Sequence, residues 1–204
     1  MSEAATGVAL GYEPAAELGE RRIWIPPGGS HRTGPLSGSQ RKRLLTAVLD
    51  VRADPDARLV LLGVEVDGLQ PAGRAALRDR IGFLAADGGL LSSLNAWENI
   101  VLPIGFHRPG RQREVADEVY GMLTGLGADP TVLLARLPER MSPYEKKLTG
   151  YVRIALEKPD LVLAEDLQSG LESGEREAAD RLPAAYLQRC PSGTFVQLEA
   201  ASAP

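Results

Sequence analysis

A short apolar run that ends in two acidic residues constrains the fold more than any other stretch. The run Leu161–Ala164 is followed at once by Glu165 and Asp166. Bounded by turn residues, such a run indicates a buried strand, and open α/β sheets place ligand-binding groups beyond the carboxyl ends of their strands. Residues 142–158 contain enough good helix formers for a helix, and Pro159 ends it. This order predicts an α/β fold.

Length and composition exclude several classes of protein. The 204 residues allow one domain, or one domain with a subdomain. A net charge of −4 gives no sign of a nucleic-acid partner. The single cysteine, Cys190, excludes an intramolecular disulfide and a cysteine-rich zinc site. His31 and His107 have no second ligand at metal spacing, so we expect two surface histidines and no metal site.

Apolar patterning places the chain outside the membrane. No run of about 18 apolar residues occurs. The first ten residues lack the basic region and long apolar core of a signal peptide. We therefore expect a cytoplasmic protein that reaches a membrane only through a partner.

Further elements follow from periodicity and turn residues. Strands are predicted at residues 8–12, 22–25, 59–66 and 194–198. Helices are predicted at residues 71–80 and 112–127, with a short helical turn at 131–137.

Three consecutive segments resemble the ATPase subunits of ABC transporters. In that family a glycine-rich signature opens a helix, an apolar Walker B strand ends in Asp-Glu, and a D-loop follows. The corresponding segments here are Met141–Glu145, Leu161–Asp166 and Ser169–Glu172. Pro143 and Tyr144 replace the two signature glycines, and the two acids stand in reversed order.

The resemblance implies a P-loop NTPase-like α/β fold, with a mixed sheet flanked by helices. It implies one ABC ATPase-like domain over residues 1–204, with a small helical subdomain at about residues 90–150. Asp166 takes the place of the general base and Glu165 that of the magnesium-associated acid. Ser142 is the remaining signature residue that can offer a hydroxyl to the γ-phosphate.

Residues 34–50 have the outline of a P-loop and its helix. A working P-loop reads G-x-x-x-x-G-K-[ST]: its N–H groups wrap the phosphates, its lysine reaches them, and its hydroxyl binds magnesium. Aligned on the apolar face of the helix, the last glycine becomes Gln40, the lysine Arg41 and the hydroxyl residue Lys42. Shifted by one residue, Lys42 takes the lysine place and Arg43 that of the hydroxyl. Neither register supplies the hydroxyl.

The same region still contains candidate nucleotide contacts, namely Gly34, Gly38 and Ser39 in the turn and Arg41 and Lys42 beyond it. Cations at a helix N-terminus attract anions. This predicts ATP binding that is weak or independent of magnesium, with a solvated basic turn as the alternative.

Residues 81–103 carry the most specific resemblance. The pattern Asp-Gly-x-Leu-x-Ser-Ser-Leu at 87–94, followed by Glu-Asn and an aliphatic-proline pair, is similar to the ATPase subunits of MCE-type phospholipid transporters. The Q-loop glutamine of the family falls at Ala86, which has no polar side-chain atom to sense magnesium or water. The resemblance implies that residues 86–103 contact a transmembrane permease subunit. Trp97 lies in this region, and simple core packing is its alternative role.

Two other positions of the family can be placed. Tyr12 lies roughly where an aromatic residue stacks on adenine, and a tyrosine on an edge strand is the alternative. The switch histidine falls near Leu198 or Glu199, and no histidine follows His107.

Phosphoryl transfer depends on positioning and electrostatic stabilisation, and several of the required groups are replaced. The sequence therefore predicts a catalytically impaired ABC-type subunit, peripheral to the inner membrane through a lipid- or solvent-type permease. It would pair with itself or with another ABC ATPase subunit. Two alternatives stay open. One is a residual ATP-binding or ATP-hydrolysing subunit that uses Arg41 or Lys42 with Glu165 and Asp166, and the other is a stand-alone α/β binding module.

Overall fold

The computed structural model of the chain describes residues 7–18, 20–107 and 115–201. The strands are β1 (Leu10–Glu13), β2 (Ile23–Ile25), β3 (Gly29–Leu36), β4 (Arg58–Leu61), β5 (Val64–Glu65), β6 (Ile81–Leu84), β7 (Leu161–Glu165) and β8 (Thr194–Ala200). The helices are α1 (Gly38–Asp50), α2 (Pro71–Arg78), α3 (Ala96–His107), α4 (Ala116–Gly125), α5 (Pro130–Leu133), α6 (Pro143–Glu157), α7 (Ser173–Ala179) and α8 (Leu182–Arg189).

The chain divides into two compact units. The first comprises residues 1–82, 159–163 and 190–204, and the second comprises residues 83–158 and 164–189. The predicted helical subdomain at about 90–150 falls within the second unit, and its boundaries stay a prediction. None of the helices in the described ranges has the length and apolar character needed to cross a bilayer.

An antiparallel sheet in the first unit has the strand order β2-β1-β4-β5. Leu10 of β1 pairs with Ile25 on one side and with Leu61 on the other. Leu10 and Tyr12 share one face of the sheet, since alternate residues of a strand point the same way, and both are buried. The suggestion that Tyr12 lies on an edge strand is therefore wrong, because β1 has a partner on each side.

Residues 59–66 form a hairpin in place of the single predicted strand. Leu61 of β4 pairs with Val64 of β5, which leaves Leu62 and Gly63 as a two-residue turn. Their φ angles are 50° and 78°, and a type I′ hairpin turn requires positive φ at both positions. The sequence concealed this turn because leucine stands where asparagine or aspartate usually signals it.

A second sheet has the strand order β3-β8-β7-β6. β3 and β8 run parallel. The apolar run before the two acids forms β7, as predicted, and residues 161–164 are at most 1% exposed. A strand that is buried on both faces needs a continuous apolar sequence, which is why this element could be predicted.

α6 packs against α3, α4, α7 and α8 within the second unit. The predicted helix at 142–158 is confirmed, with Ser142 as its N-cap and Lys158 in the left-handed conformation at its C-terminus. Its buried side chains include Leu148, Tyr151 and Val152, which lie on one helical face.

Most other predicted elements are present with shifted ends. The helix predicted at 71–80 is α2, and the strand predicted at 194–198 extends as β8 to Ala200. The helix predicted at 112–127 corresponds to α4, although residues 112–114 lie outside the described ranges. The turn predicted at 131–137 is reduced to α5.

Trp24 lies across Gly11 on the neighbouring strand. The two residues are direct partners in the β1–β2 pair, and a Cβ built on Gly11 would lie 2.7 Å from Cζ3 of Trp24. Trp24 is 44% exposed, and the Arg58 guanidinium lies 5.9 Å from the centroid of its ring. Glycine is needed at position 11 because the indole occupies the space of a side chain.

Replacing Gly11 with alanine is expected to push the Trp24 ring into solvent. The loss of packing should lower the free energy of unfolding by about 1 kcal/mol. In a Trp97→Phe background, Trp24 emission should shift to longer wavelength, whereas Gly7→Ala should change neither quantity because nothing lies within 4 Å of that Cβ. An unchanged emission maximum in Gly11→Ala would contradict this account of the ring.

Candidate functional site

The residues aligned with a phosphate-binding loop form a direct junction between a strand and a helix. Residues 34–36 belong to β3, and the last two of them pair with β8. α1 begins at Gly38, so Ser37 alone separates the strand from the helix. A phosphate-binding loop needs several successive residues whose N–H groups turn toward the phosphates. The structure corrects the predicted loop, because pairing with β8 takes up the residues that would form it.

The N-terminus of α1 is closed by its own side chains. The N–H of Gln40 donates to Oγ of Ser37 over 3.2 Å, and the N–H of Ser37 donates to Oε1 of Gln40 over 2.9 Å. The Ser39 hydroxyl lies 3.0 Å from that of Ser37. This capping box satisfies donors that a helix N-terminus otherwise offers to an anion. Gln40 therefore acts as a capping residue where the alignment placed the last P-loop glycine.

The basic run of α1 is only partly available to an anion. Arg43 pairs with Glu20, with Nε and Oε2 3.3 Å apart. Arg41 is half-buried and Lys42 is exposed. Because a carboxylate already neutralises one of the three cations, the run attracts anions less than its sequence suggests.

Tyr12 is 2% exposed and therefore has no free ring face for a nucleotide base. Burial raises the pKa of its hydroxyl, Asp54 raises it further, and Arg43 opposes the shift. The hydroxyl has no hydrogen-bond partner within the described residues. The structure thus places the predicted adenine-stacking residue in the core of the first unit.

The two acids lie at the end of β7, as predicted, and both are half-buried. Asp166 has a φ of 42°, a left-handed conformation that is uncommon outside glycine. Its carbonyl accepts a hydrogen bond from the N–H of Ser169 over 3.1 Å. The same carbonyl accepts another from the ammonium of Lys147 over 3.1 Å.

Lys147 is a buried cation that the sequence analysis missed. Its side chain is on α6, is 1% exposed, and donates from Nζ to the carbonyls of Ala86 and Asp166. Burial lowers the pKa of the Lys147 ammonium, and the carboxylates of Asp166, Asp87 and Glu165 oppose that shift. The charge is tolerated because backbone carbonyls and nearby carboxylates replace part of its hydration.

The sequence does contain a sign that Lys147 is buried. Lys147 shares the buried side of α6 with Leu148, Tyr151 and Ala155. A lysine on an apolar stripe is almost never fully buried without partners. Its partners come from distant parts of the chain, so helical periodicity could flag the residue but could not identify what it binds.

The residues aligned with the ABC signature make local structural contacts. Oγ of Ser142 accepts from the N–H of Glu145 over 3.2 Å, and Oε2 of Glu145 accepts from the N–H of Ser142 over 2.8 Å. Glu145 also pairs with Arg136 at 2.7 Å. The hydroxyl of Tyr144 donates to the carbonyl of Leu126 over 3.2 Å. The predicted γ-phosphate hydroxyl therefore caps α6, with a carboxylate beside it.

The curated relatives that match the chain are named as ATP-binding proteins, in agreement with the resemblance seen in the sequence. No family model matches the chain. It is 26% identical over 176 residues to the "probable ribonucleotide transport ATP-binding protein mkl" of Mycobacterium leprae, an alignment that covers 81% of the chain and 49% of the relative. It is 30% identical over 162 residues to the "methionine import ATP-binding protein MetN 2" of Burkholderia mallei, covering 78% of the chain and 39% of the relative. The chain thus spans about half, or less, of the length of these curated relatives.

Solved structures agree on the architecture. CbiO1 of Clostridium perfringens, part of the ABC transporter complex CbiONQ, matches with a TM-score of 0.74 at 15% identity, over 96% of the chain and 79% of its own. The chain has the fold of an ABC ATPase domain. The ATP-binding cassette MJ0796, solved as a dimer with ADP and Pi, matches with a TM-score of 0.68 at 18% identity, over 94% of the chain and 88% of its own. The predicted α/β, P-loop NTPase-like fold class is confirmed.

The residues present do not fit magnesium-ATP in the manner of P-loop proteins. The β3–α1 junction has no loop to surround phosphates, and the capping box uses N–H groups at the start of α1. Where the structure describes the chain, no group of three or more histidine, cysteine, aspartate or glutamate residues is arranged to hold a metal ion. The side chain of His107 lies outside the described part, and His31 Nε2 is 2.6 Å from the carbonyl of Gly28.

Replacing Lys147 with methionine is expected to change how stability depends on pH. Because folding lowers the pKa of Lys147, the unfolded chain holds more protons than the folded chain between that value and the ordinary lysine pKa of about 10.4. The stability of the wild type relative to Lys147→Met should therefore increase as pH rises through this window. Urea unfolding between about pH 8 and pH 10 measures the difference, with Lys146→Met, a half-exposed neighbour on α6, as the control. Parallel pH curves for the wild type and Lys147→Met would contradict the assignment.

The close approach of residues 86–89 to α6 gives a second prediction. A Cβ on Gly150 would clash with the carbonyl of Gly88, whereas a Cβ on Gly121 of α4 would meet nothing within 4 Å. Gly150→Ala should lower the free energy of unfolding by about 1–3 kcal/mol, while Gly121→Ala should raise it by about 0.5–1 kcal/mol through helix propensity. Equal effects of the two substitutions in urea unfolding would show that the α6 contact is loose.

Proposed function

We propose that the chain is a nucleotide-binding-type subunit of an ABC transporter that no longer hydrolyses ATP. The direct β3–α1 junction, closed by Ser37 and Gln40, carries this proposal. Phosphoryl transfer needs N–H donors, a lysine and a magnesium hydroxyl arranged around the phosphates. The hydroxyl position falls on Lys42 or, shifted by one residue, on Arg43, and the N-terminus of α1 is already capped.

The signature side of the proposal rests on α6. In the composite sites of this family, the signature of one subunit faces the nucleotide of the other. The capping box of α6 uses the N–H groups of Ser142 and Glu145, so fewer backbone donors are left for a γ-phosphate. Pro143 removes a backbone donor from the first turn of the helix. A partner subunit with an intact phosphate-binding loop would therefore not obtain a complete composite ATP site by pairing with this chain.

Residues 86–103, here called the docking segment, are proposed to contact a transmembrane permease subunit. Part of this segment is exposed and apolar, with Leu91 50% exposed. Asn99 is buried and binds the backbone of the segment. Its Oδ1 accepts from the N–H of Leu91 over 2.8 Å. Its Nδ2 donates to the carbonyls of Leu91, Leu94 and Asn95 over 2.8–3.1 Å. A preformed surface of this kind suits a constant partner, because little order has to be created on binding.

The identity of the transporter is a further part of the proposal. Relatives are named for ribonucleotide transport and methionine import, so the assignment to a lipid- or solvent-type permease rests on the sequence pattern at residues 87–103. The dimeric state of the structural neighbour MJ0796 supports pairing with a second copy or with another ABC ATPase subunit. Attachment to a permease would place the chain at the cytoplasmic face of the inner membrane.

Equilibrium binding of a fluorescent ATP analogue, with and without magnesium, tests the loss of ATPase function. We expect no magnesium-dependent binding up to millimolar concentration, because the junction has neither a phosphate loop nor a magnesium hydroxyl. An ABC ATPase with an intact P-loop serves as the positive control. Tight magnesium-dependent binding to this chain would overturn the proposal, and phosphate release would then be assayed with Asp166→Asn as the control.

We attribute any weak nucleotide binding without magnesium to Arg41 and Lys42 of α1. It should be lost in an Arg41→Gln, Lys42→Gln double variant. It should survive in Arg52→Gln, which removes an exposed arginine just beyond the other end of α1. This result would favour a nucleotide sensor over a pure scaffold, whereas equal losses in both variants would indicate general charge attraction.

A further inference from the structure

Two cationic side chains of α6 hold the first four residues of the docking segment through their backbone. Lys147 donates to the carbonyl of Ala86. Arg153 donates from Nη1 to the carbonyl of Gly89 over 2.8 Å and from Nη2 to that of Gly88 over 3.3 Å. Burial lowers the pKa of the Arg153 guanidinium. Three of the four carbonyls of residues 86–89 thus accept from charged donors on one helix.

The backbone of this segment is shaped to approach the helix closely. Gly150 lies three residues from both Lys147 and Arg153, and its missing side chain makes room for the carbonyl of Gly88. Gly88 has a φ of 85°, and any side chain there would clash with the carbonyl of Lys146. The contact therefore depends on glycine at two facing positions as well as on the two cations.

The ammonium of Lys147 also reaches a second segment of the chain. It donates to the carbonyl of Asp166 over 3.1 Å, directly after β7. Asp166 is held in the left-handed conformation, which persists only where surrounding contacts determine it. One buried ammonium therefore links the start of the docking segment to the residue that follows the β7 strand.

The next part of the docking segment is held by side chains that lie within the segment. Asn99 binds residues 91–95, and Asn95 and Glu98 cap the start of α3 reciprocally, each bond 2.9 Å long. Residues 86–89 therefore depend on cations of α6, whereas residues 91–99 are held by side chains of the segment itself and by backbone hydrogen bonds from Ala96 and Trp97 to the carbonyls of Arg136 and Leu134. Removal of Lys147 should loosen the first set and leave the second.

We propose that Lys147 is a positioning residue that keeps residues 86–89 and residue 166 in one arrangement without nucleotide or metal. This inference rests on the proposed function, since it names what sets the conformation of the docking segment in a subunit without ATP hydrolysis. A permanent internal cation acts at all times, whereas a bound ligand acts only when present. The docking segment is then presented to its partner in a constant form.

Hydrogen exchange of the nucleotide-free chain, read by mass spectrometry, tests this role in Lys147→Met. Hydrogen bonds to a charged group are worth enough that their loss should speed local exchange about tenfold or more. The increase is expected in peptides covering residues 86–90 and 166–171. Peptides covering β8 should exchange as in the wild type. Lys146→Met, the matched substitution one residue away, should leave both regions unchanged.

Three results would overturn the proposal. The first is wild-type exchange at residues 86–90 and 166–171 in folded Lys147→Met. The second is an increase in exchange that is spread evenly over the chain, because this indicates general destabilisation. If Lys147→Met does not fold, the same comparison is made with Lys147→Gln, which keeps an amide donor but not the charge. The third is altered exchange of residues 86–90 in the wild type on addition of magnesium-ATP. Because the fluorescent-nucleotide assay reports ATP binding separately, failure of the proposed function and failure of this inference give different results.

Discussion

A single buried positive charge determines much of the local structure in the second unit. An ammonium removed from water is costly unless acceptors replace its hydration, and Lys147 is 1% exposed. Its acceptors are carbonyls of Ala86 and Asp166, so both must lie against α6. The glycines at 88 and 150 and the left-handed backbone of Asp166 follow from that requirement, since each permits an approach that ordinary residues would block or strain.

The two helices that the ABC resemblance directs toward nucleotide begin with the same local arrangement. Ser37 with Gln40 opens α1, and Ser142 with Glu145 opens α6, each as a reciprocal capping box. An anion-binding helix N-terminus depends on N–H groups that have no partner within the protein. Here side chains three residues into each helix meet part of that need, which stabilises the fold and weakens the case for a phosphate ligand.

Sequence patterns predicted those elements whose signals are local. β7 could be predicted because a fully buried strand is apolar throughout, and α6 because good helix formers continue from Ser142 to a proline stop. The Leu62–Gly63 turn was missed because its first residue adopts positive φ without the usual turn chemistry. Tyr12 was misplaced because pairing of β1 on both sides is a non-local fact.

The candidate site was harder to predict than the fold for the same reason. Loss of the magnesium hydroxyl of the P-loop could be recognised from the sequence, but the absence of the loop itself could not. It depends on β8, more than 150 residues away in sequence, pairing with β3 through Leu36. Lys147 likewise stands on a recognisable apolar stripe, yet its partners lie 61 and 19 residues away.

The chain can share the fold of its structural neighbours and still differ in site chemistry, because the fold depends on apolar core residues and the chemistry on a few polar ones. The architecture shared with CbiO1 and MJ0796 is set by buried apolar strands and by helix packing, whereas hydrolysis depends on a few polar groups placed on that framework. Among the described residues of the second unit, the buried polar side chains are Asn99, Lys147 and Thr149. Asn99 and Lys147 contact the backbone of the docking segment, whereas Thr149 donates to the carbonyl of Glu145 within α6. A buried polar group is retained without penalty only where its hydrogen bonds are satisfied. Asn99 and Lys147 therefore support the shape of a surface segment, which suits the proposed contact with a partner subunit.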